Sequence, residues 1–158
     1  MKSRTLLLIA GGTLAALTIA VGIAFATDSA GVTATAHVVG ATLPDRVKVN
    51  ADRIKFKTKN PVDISVVTLT IAPGGTTGWH SHPGFAVIAV SQGAGTLYSA
   101  DCSAETFHAG QAFVETGDDP PTVFRNNGAE PVVLTVSFFA PRGAGFHRDA
   151  PNPGCAVS

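Results

Sequence analysis

Net charge is what this sequence lacks most clearly. Its 158 residues include 11 lysines and arginines and 11 aspartates and glutamates, so the formal net charge is zero. A neutral chain with a pI near 7.0 offers no electrostatic footprint for wrapping nucleic acid, and we expect no nucleic-acid partner. Disorder throughout the chain is excluded as well, because 45% of the residues are hydrophobic and only 14% are charged.

Helical periodicity is also missing. After residue 26, no stretch of about 11 residues repeats apolar side chains at helical spacing, whereas 17 glycines and 10 prolines indicate frequent turns. We therefore predict one all-β domain of about nine strands, in a sandwich, barrel or jelly roll. After a first edge strand, the expected strands are 46–49, 54–59, 64–72, 85–91, 95–100, 111–115, 122–126 and 132–140.

A long apolar run lies at the N-terminus. Lys2 and Arg4 precede residues 6–26, which carry no charge and end in an Ala-Phe-Ala motif. A basic start, an apolar run and an A-x-A site are typical of a secretory signal peptide, so we predict cleavage after Ala26. The alternative is an uncleaved helix that anchors the protein in the membrane through residues 6–26. Both interpretations place the rest of the chain outside the cytoplasm, secreted or in the cell envelope.

Beyond the N-terminal run we expect three segments: a linker or edge segment at 27–43, a β-barrel at 44–142 and a C-terminal tail at 143–158. The chain has two cysteines, Cys102 and Cys155. In an exported protein an even pair is more often a disulfide than a catalytic thiol, so we predict that these two residues are bonded. The bond would tie the proline- and glycine-rich tail to the barrel.

The strongest local signal for chemistry is a pair of histidines within residues 74–84, which read Gly-Gly-Thr-Thr-Gly-Trp-His-Ser-His-Pro-Gly. His80 and His82 are two positions apart, and on a strand such side chains point to the same face. Their imidazoles can then converge on one divalent metal ion. The pair also fits two hydrogen-bonded histidines inside a barrel, and both interpretations stay open.

The surroundings of this pair resemble the cupin superfamily. The first motif of that family is a glycine, five residues, His-x-His, a glutamate and a closing glycine, and Gly74, His80, His82 and Gly93 fit it. The resemblance implies a double-stranded β-helix, the jelly roll of the cupin barrel.

The second cupin motif opens on a glycine and ends near an asparagine, and residues 110–115 and 125–128 match its two ends. The resemblance therefore spans residues 68–142. More narrowly, residues 78–84 and 149–155 are similar to small exported single-domain cupins of actinobacterial type.

Two of the four residues with which cupins usually bind metal are replaced. The position of the glutamate holds Ala86 or, at the longer spacing, Val87, and the position of the third histidine holds Thr122 or, in a shifted alignment, Pro121. The resemblance implies that the histidine pair alone remains, and that it binds Zn, Mn, Fe or Ni weakly, with no other cofactor.

A third metal donor would come from elsewhere in the chain. Glu115 is the first candidate, although a side chain that faces solvent or caps a strand end is the favoured interpretation of this residue, and His108 is the second. Asp118 and Asp119 lie nearby, where an ordinary polar turn is the favoured interpretation.

Three functions fit these features. The first is a barrel that binds a small molecule, in an interior lined by Phe85, Val87, Ile88, Leu134 and Phe138. The second is a metal-dependent enzyme of the dioxygenase or isomerase type, for which we identify no catalytic residue. The third is a non-catalytic interaction protein of the cell envelope, and a homodimer is compatible with all three.

The remaining charged and titratable groups are expected at the surface. His37, His108 and His147 each stand alone in a predicted edge, turn or tail. The lysines at 48, 55, 57 and 59 form a basic strip, for which a solvated strand face is the favoured interpretation. Contact with anionic envelope polymers or lipid headgroups is the alternative.

Overall fold

The structure is a computed structural model in which residues 29–44, 46–117 and 120–157 are described. These residues form β-strands and no helix. No helix in this part of the chain is long and apolar enough to cross a membrane, and the predicted signal peptide or anchor at 1–26 lies outside it. The strands are β1 (Ala30–Leu43), β2 (Lys48–Ala51), β3 (Ile54–Lys57), β4 (Val62–Thr76), β5 (His80–Ser81), β6 (Phe85–Gln92), β7 (Ala94–Ser99), β8 (Ala104–His108), β9 (Ala112–Thr116), β10 (Thr122–Arg125), β11 (Val132–Pro141) and β12 (Arg148–Asp149).

Ten of these strands form one sheet that folds into two layers. In the first layer the antiparallel order is β1-β4-β11-β6-β9. In the second layer β7 pairs with β8 and β10, β10 pairs with β5, and β5 pairs with β12. A bridge between Arg125 and Thr76 links the layers, so the sheet is nearly closed. This all-β barrel agrees with the predicted cupin jelly roll.

The two layers enclose one apolar core. Along β11 buried and half-buried residues alternate from Val132 to Ala140, which is the period of two expected of a strand with one face inside. Phe107 and Phe124 contribute to the same core from the second layer. Between them lies the ring of Phe113, whose centroid is 4.5 Å from that of Phe107 and 5.6 Å from that of Phe124. Burial of each such side chain contributes about 1.5–3 kcal/mol, so contacts between the layers hold the barrel together.

Each of the eight predicted strand segments overlaps a strand, but three strands were not predicted: β5, β8 and β12. The segment 27–43, expected as a linker or an edge, forms the edge strand β1 over most of its length. Within this strand, Val32 and Ala34 pack against the core.

Strand β4 extends beyond the predicted segment 64–72 and continues through residues 73–75 to Thr76. Gly74 has a φ of 74°, and a Cβ on Gly75 would lie 2.9 Å from the carbonyl oxygen of Ala30. The pairing with β1 shifts register at the same place. The glycines therefore form a β-bulge, which lets the strand bend toward the histidine pair.

The predicted interior is wrong in part, because Phe85 and Val87 lie on the outer face of the barrel. Ala86 and Ile88 are the buried residues of this stretch of β6, and a period of two then directs their neighbours outward. The other predicted interior residues are buried.

Strands β2 and β3 form a separate hairpin whose turn residues, Asp52 and Arg53, both have positive φ, at 47° and 70°. Two such residues are what a type I′ turn requires. The hairpin is largely exposed, and Ile54 in particular is 69% exposed. Phe56 contacts the barrel, with its ring centroid 5.8 Å from that of Phe139.

The C-terminal tail is fixed to the second layer. The structure contains the Cys102–Cys155 disulfide, with the two Cα atoms 5.3 Å apart. Strand β12 pairs with β5, and the amide of Ala150 donates a hydrogen bond of 3.0 Å to the carbonyl of Trp79. The tail thus runs directly beside the strand that carries His80.

Candidate functional site

Three buried side chains with metal-binding atoms meet between the two layers. His80 belongs to β5, His82 follows it directly, and Glu115 belongs to β9; their exposed fractions are 6%, 4% and 8%. One ligand atom from each lies within 4.8 Å of the other two. The Nε2 atom of His82 is 3.1 Å from Oε2 of Glu115, and Nε2 of His80 is 4.0 Å from the same oxygen.

Backbone carbonyls hold the opposite side of each imidazole. Nδ1–H of His80 donates to the carbonyl of Gly78 at 2.9 Å, and Nδ1–H of His82 donates to that of Phe146 at 2.6 Å. Because a carbonyl only accepts, the proton of each neutral ring is on Nδ1. The lone pair on Nε2 then faces Glu115. Hydrogen bonds of this kind orient histidines that bind metal ions.

The contact between His82 and Glu115 consequently brings together two acceptor atoms. An ionised carboxylate and the lone pair on Nε2 repel each other unless a positive charge lies between them, and that charge is a proton or a metal ion. A proton between these two atoms leaves Nε2 of His80 beyond hydrogen-bond distance of the carboxylate, whereas one metal ion can bind all three donors. The donor set therefore fits a metal ion.

The environment favours the protonation states that metal binding needs. Burial raises the pKa of Glu115, but when the imidazoles are protonated, the hydrogen bond that His82 then donates from Nε2 and the positive charge of both rings outweigh burial and hold that pKa below its usual value. Burial lowers the pKa of His80, against the opposing charge of Glu115. Both shifts favour an ionised carboxylate beside a neutral imidazole, which are the forms that coordinate metals.

Thr122 positions the carboxylate. Its hydroxyl donates a hydrogen bond of 2.5 Å to Oε1 of Glu115, which leaves Oε2 directed at the two imidazoles. The backbone places it there because Thr122 is the cross-strand partner of His80. The family resemblance places Thr122 at the position of a replaced ligand, and in the structure its hydroxyl orients the carboxylate of Glu115.

The register of β6 and β9 explains how Glu115 can take the place of the missing glutamate. Ala86, at the position of the missing glutamate, is the direct cross-strand partner of Glu115. Directly paired residues point to the same face of a sheet, with their Cβ atoms about 4.5–5.5 Å apart. The carboxylate of Glu115, the first candidate for a third donor, therefore enters the same space from the adjacent strand, and the exposed position favoured for this residue is wrong. In the sequence, the signal that pointed to Glu115 as a donor is its charge within the apolar strand β9.

The other candidate donors differ in their positions. His108 is exposed at the end of β8 and does not belong to the group of three donors. Asp118 and Asp119 lie outside the described residues. His37 is exposed, as predicted, and its ring is hydrogen-bonded to Thr68.

His147 was predicted at the surface, and this prediction is wrong. Its ring stacks on that of His80 with centroids 4.8 Å apart, and its Nε2–H donates to Asp149 at 2.9 Å. Burial lowers the pKa of His147, opposed by the hydrogen bond with Asp149. The pairing of β12 with β5, which the sequence did not reveal, brings this residue to the site.

A cavity of about 330 Å³ opens over the three donors. Leu97 and Val114 give it apolar walls, while Ser81, Ser99 and Thr116 contribute polar groups. The donors therefore lie at the base of a space large enough for a small molecule.

Residues 67–138 match the family model of the cupin domain. Among solved structures, the polyketide cyclase RemF from Streptomyces resistomycificus is similar with a TM-score of 0.54 and 18% identity, over 79% of this chain and 77% of its own. Recombinant oxalate oxidase in complex with glycolate has a TM-score of 0.50 and 20% identity, over 78% of this chain and 57% of its own. No curated protein matches the sequence.

At such identities the solved structures establish the fold alone. The matched segment includes both histidines, Glu115 and Thr122, and the jelly roll around them is the fold that the family model describes. The cupin-domain model thus matches the part of the chain that forms most of the barrel, and it agrees with the two solved structures on the fold.

Proposed function

We propose that this protein is an exported cupin that binds a divalent metal ion through His80, His82 and Glu115 and holds a small molecule beside it. The observation that carries the proposal is the contact of three buried acceptor atoms around one point, each of which is held from behind by a hydrogen bond. Side chains kept apart from solvent in this way need a cation to offset their mutual repulsion.

The chain's own residues would fix the geometry of such a site. The carbonyls of Gly78 and Phe146 set the orientation of the imidazoles, and Thr122 sets that of the carboxylate. Two imidazole nitrogens and one carboxylate oxygen suit Zn, Mn, Fe or Ni. A bound ion of this kind supplies a Lewis acid with open coordination positions.

The small molecule would occupy the cavity over the donors. Hydroxyl groups of Ser81, Ser99 and Thr116 can hydrogen-bond a ligand, while Leu97 and Val114 can cover an apolar part. We infer a small oxygen-bearing compound, because an oxygen atom is what hard and borderline ions bind in open positions. Export rests on the signal-like residues 1–26, and the disulfide is compatible with it.

A metal-dependent enzyme is the second candidate. It is favoured by the ligand count, because three protein donors leave room for substrate, as in catalytic rather than structural metal sites. Turnover of small carbonyl or carboxylate compounds by the metal-loaded protein would favour this candidate, and saturable binding without turnover would favour the first.

The proposal is tested by metal content after loading and dialysis. We expect about one metal ion per chain in the wild type, and loss of most of it in Glu115→Gln, because an amide lacks the charge that the ion requires. Glu105→Gln, which changes an exposed glutamate on β8, is the matched control. Equal metal retention by Glu115→Gln would restore the set of two histidines, and a wild type that takes up no metal would refute the proposal.

A swap of the carboxylate between strands separates loss of a ligand from loss of the fold. In the double variant Glu115→Ala with Ala86→Glu, the carboxylate moves to the paired position on β6. We expect part of the metal binding to return relative to Glu115→Ala, because both positions face the same space. The visible spectrum of the Co(II)-loaded protein reports whether nitrogen and oxygen donors surround the ion in each variant.

A further inference from the structure

The positive charge of this neutral chain is concentrated in one short segment. Residues 46–59 contain six of the 11 lysines and arginines and a single acidic residue, Asp52. The segment corresponds to the β2–β3 hairpin and its two ends. Such a local excess of one sign attracts ligands of the opposite charge.

The hairpin holds its cations close together. Lys48 and Lys57 are direct cross-strand partners, a pairing that is unfavourable for like charges. Beyond them the amide of Thr58 donates to the carbonyl of Val47 at 2.9 Å, and the amide of Val47 donates to Oγ1 of Thr58 at 3.0 Å. Thr58 is only 7% exposed. The backbone therefore fixes these charges next to each other although they repel.

These cations surround a cavity of about 330 Å³, which is lined by Arg46, Val47, Lys48, Lys57, Thr58 and Lys59. None of its described lining residues is acidic. The ion pairs found among residues 29–44, 46–117 and 120–157 all involve histidine, so no lysine or arginine of the hairpin has an acidic partner within that part of the chain.

An apolar cavity of about 520 Å³ adjoins the basic one and shares Lys57, Thr58 and Lys59 with it. It lies between the hairpin and the outer face of the barrel, where three phenylalanines meet. The rings of Phe85 and Phe139 are stacked with centroids 4.7 Å apart, and Phe56 of the hairpin meets Phe139 edge-on. The phenylalanines are half-buried, so an apolar body between them would be largely shielded from water.

We propose that the two cavities form one binding site for an anionic amphiphile, with a phosphate monoester in the basic cavity and an apolar chain against the phenylalanines. A phosphate monoester carries about 1.5–2 negative charges at neutral pH and three acceptor oxygens, which suits four cations better than a carboxylate does. The site shares no lining residue with the cavities at His80, His82 and Glu115. It is therefore independent of the proposed metal function.

The position of the phenylalanines favours a single molecule over a bilayer surface. They line the groove between the hairpin and the outer face of the barrel, so an acyl chain must enter that groove to reach them. A flat membrane could reach exposed residues of the hairpin such as Ile54 and Val49 instead. A single amphiphile must therefore enter the groove, whereas a membrane need only touch the exposed hairpin. A soluble probe distinguishes these two ligand sources.

The test uses the full-length protein and n-decyl phosphate below its micelle concentration, with titration calorimetry as the measurement. We expect saturable binding at about one molecule per chain that weakens as salt is added, since exposed charges are screened. Inorganic phosphate and uncharged decyl maltoside should each bind at least about tenfold more weakly. The first lacks the apolar chain, and the second lacks the negative charge. Equal affinity for all three probes, or no binding of decyl phosphate, would overturn the proposal.

Charge reversal separates a site from general attraction. The double variant Lys57→Glu with Lys59→Glu should bind decyl phosphate about tenfold more weakly, because two attractive contacts become repulsive. Lys55→Glu is the matched control, since Lys55 lies on the same strand and lines neither cavity. Retained metal uptake and circular dichroism verify folding.

Two outcomes would count against the site. An equal loss in Lys55→Glu would show that charge alone drives binding. Binding to vesicles that contain anionic phospholipid, without binding of monomeric decyl phosphate, would show a membrane-docking surface in place of a ligand site. Phe85→Ala adds a further check: it should weaken decyl phosphate but leave inorganic phosphate unchanged.

Discussion

The barrel interior around Glu115 and the β2–β3 hairpin concentrate polar groups by opposite means. The interior site assembles residues from separate segments of the chain, 80–82, 115, 122 and 146, which strand pairing and hydrogen bonds bring together. The hairpin joins residues 48–51 to residues 54–57 through one tight turn. The first site therefore exists only when the barrel has folded, whereas the second is specified locally.

The two regions also differ in how strongly their charges act. Around Glu115 the side chains are buried, and electrostatic interactions there are far stronger than in water. On the hairpin the lysines are exposed, so each ion pair with a ligand contributes little and several are needed. A single substitution should thus suffice to disable the interior site, while the hairpin should respond in proportion to the number of charges changed.

Removal of the disulfide should have the largest effect and should separate the two regions. In Cys102→Ser with Cys155→Ser, we expect a loss of about 4 kcal/mol in the free energy of unfolding, because a loop that spans 53 residues is no longer closed. Metal affinity should fall as well, since the tail carries the carbonyl of Phe146 that orients His82. Chemical denaturation and competition with a chelator measure these two quantities.

The same variant should leave the hairpin unchanged. Hydrogen exchange of the amides in β2 and β3 is the control, because the tail does not pair with that hairpin. If metal affinity stays at the wild-type value while stability falls, the tail stabilises the barrel without orienting His82.

Thr122→Val should have the next largest effect, confined to the interior site. Valine has nearly the shape of threonine but cannot donate to Oε1 of Glu115, so the carboxylate loses its orientation. We expect metal affinity to fall by about 10–100-fold, the usual cost of removing a hydrogen bond to a ligand. Thr106→Val, which removes an exposed hydroxyl contact with Thr96, is the matched control. Equal affinities of the two variants would contradict a positioning role for Thr122.

The sequence predicts the features that depend on neighbouring residues better than those that depend on the pairing of distant strands. The alternation of residues and the turn signals located the barrel strands, and the His-x-His motif located two donors, because these features depend on neighbours in sequence. For β6 the prediction placed Phe85 on the inner face of the barrel. This is wrong, because a shift of one residue exchanges the two faces of a strand. The type of element was therefore predictable where its orientation was not.

The composition of the site depended on pairing between distant strands. Glu115 reaches the donors because it pairs with Ala86, and His147 reaches them because β12 pairs with β5. Neither register is encoded in a local pattern that a single sequence displays. A motif with a missing ligand is thus a reason to search the facing strand.

The smallest effect is expected from Phe56→Ala, which tests the independence of the hairpin. Phe56 is half-buried and contacts the barrel through Phe139, while β2 and β3 pair only with each other among the described strands. We expect a decrease of about 1 kcal/mol in the free energy of unfolding, because one edge-to-face contact and part of the apolar burial are lost. Hydrogen exchange should accelerate in the hairpin and remain unchanged around His80, and metal content should match the wild type. Faster exchange in both regions would mean that the hairpin and the barrel interior unfold as one cooperative unit, since the loss of a local contact would then reach residues that Phe56 does not touch.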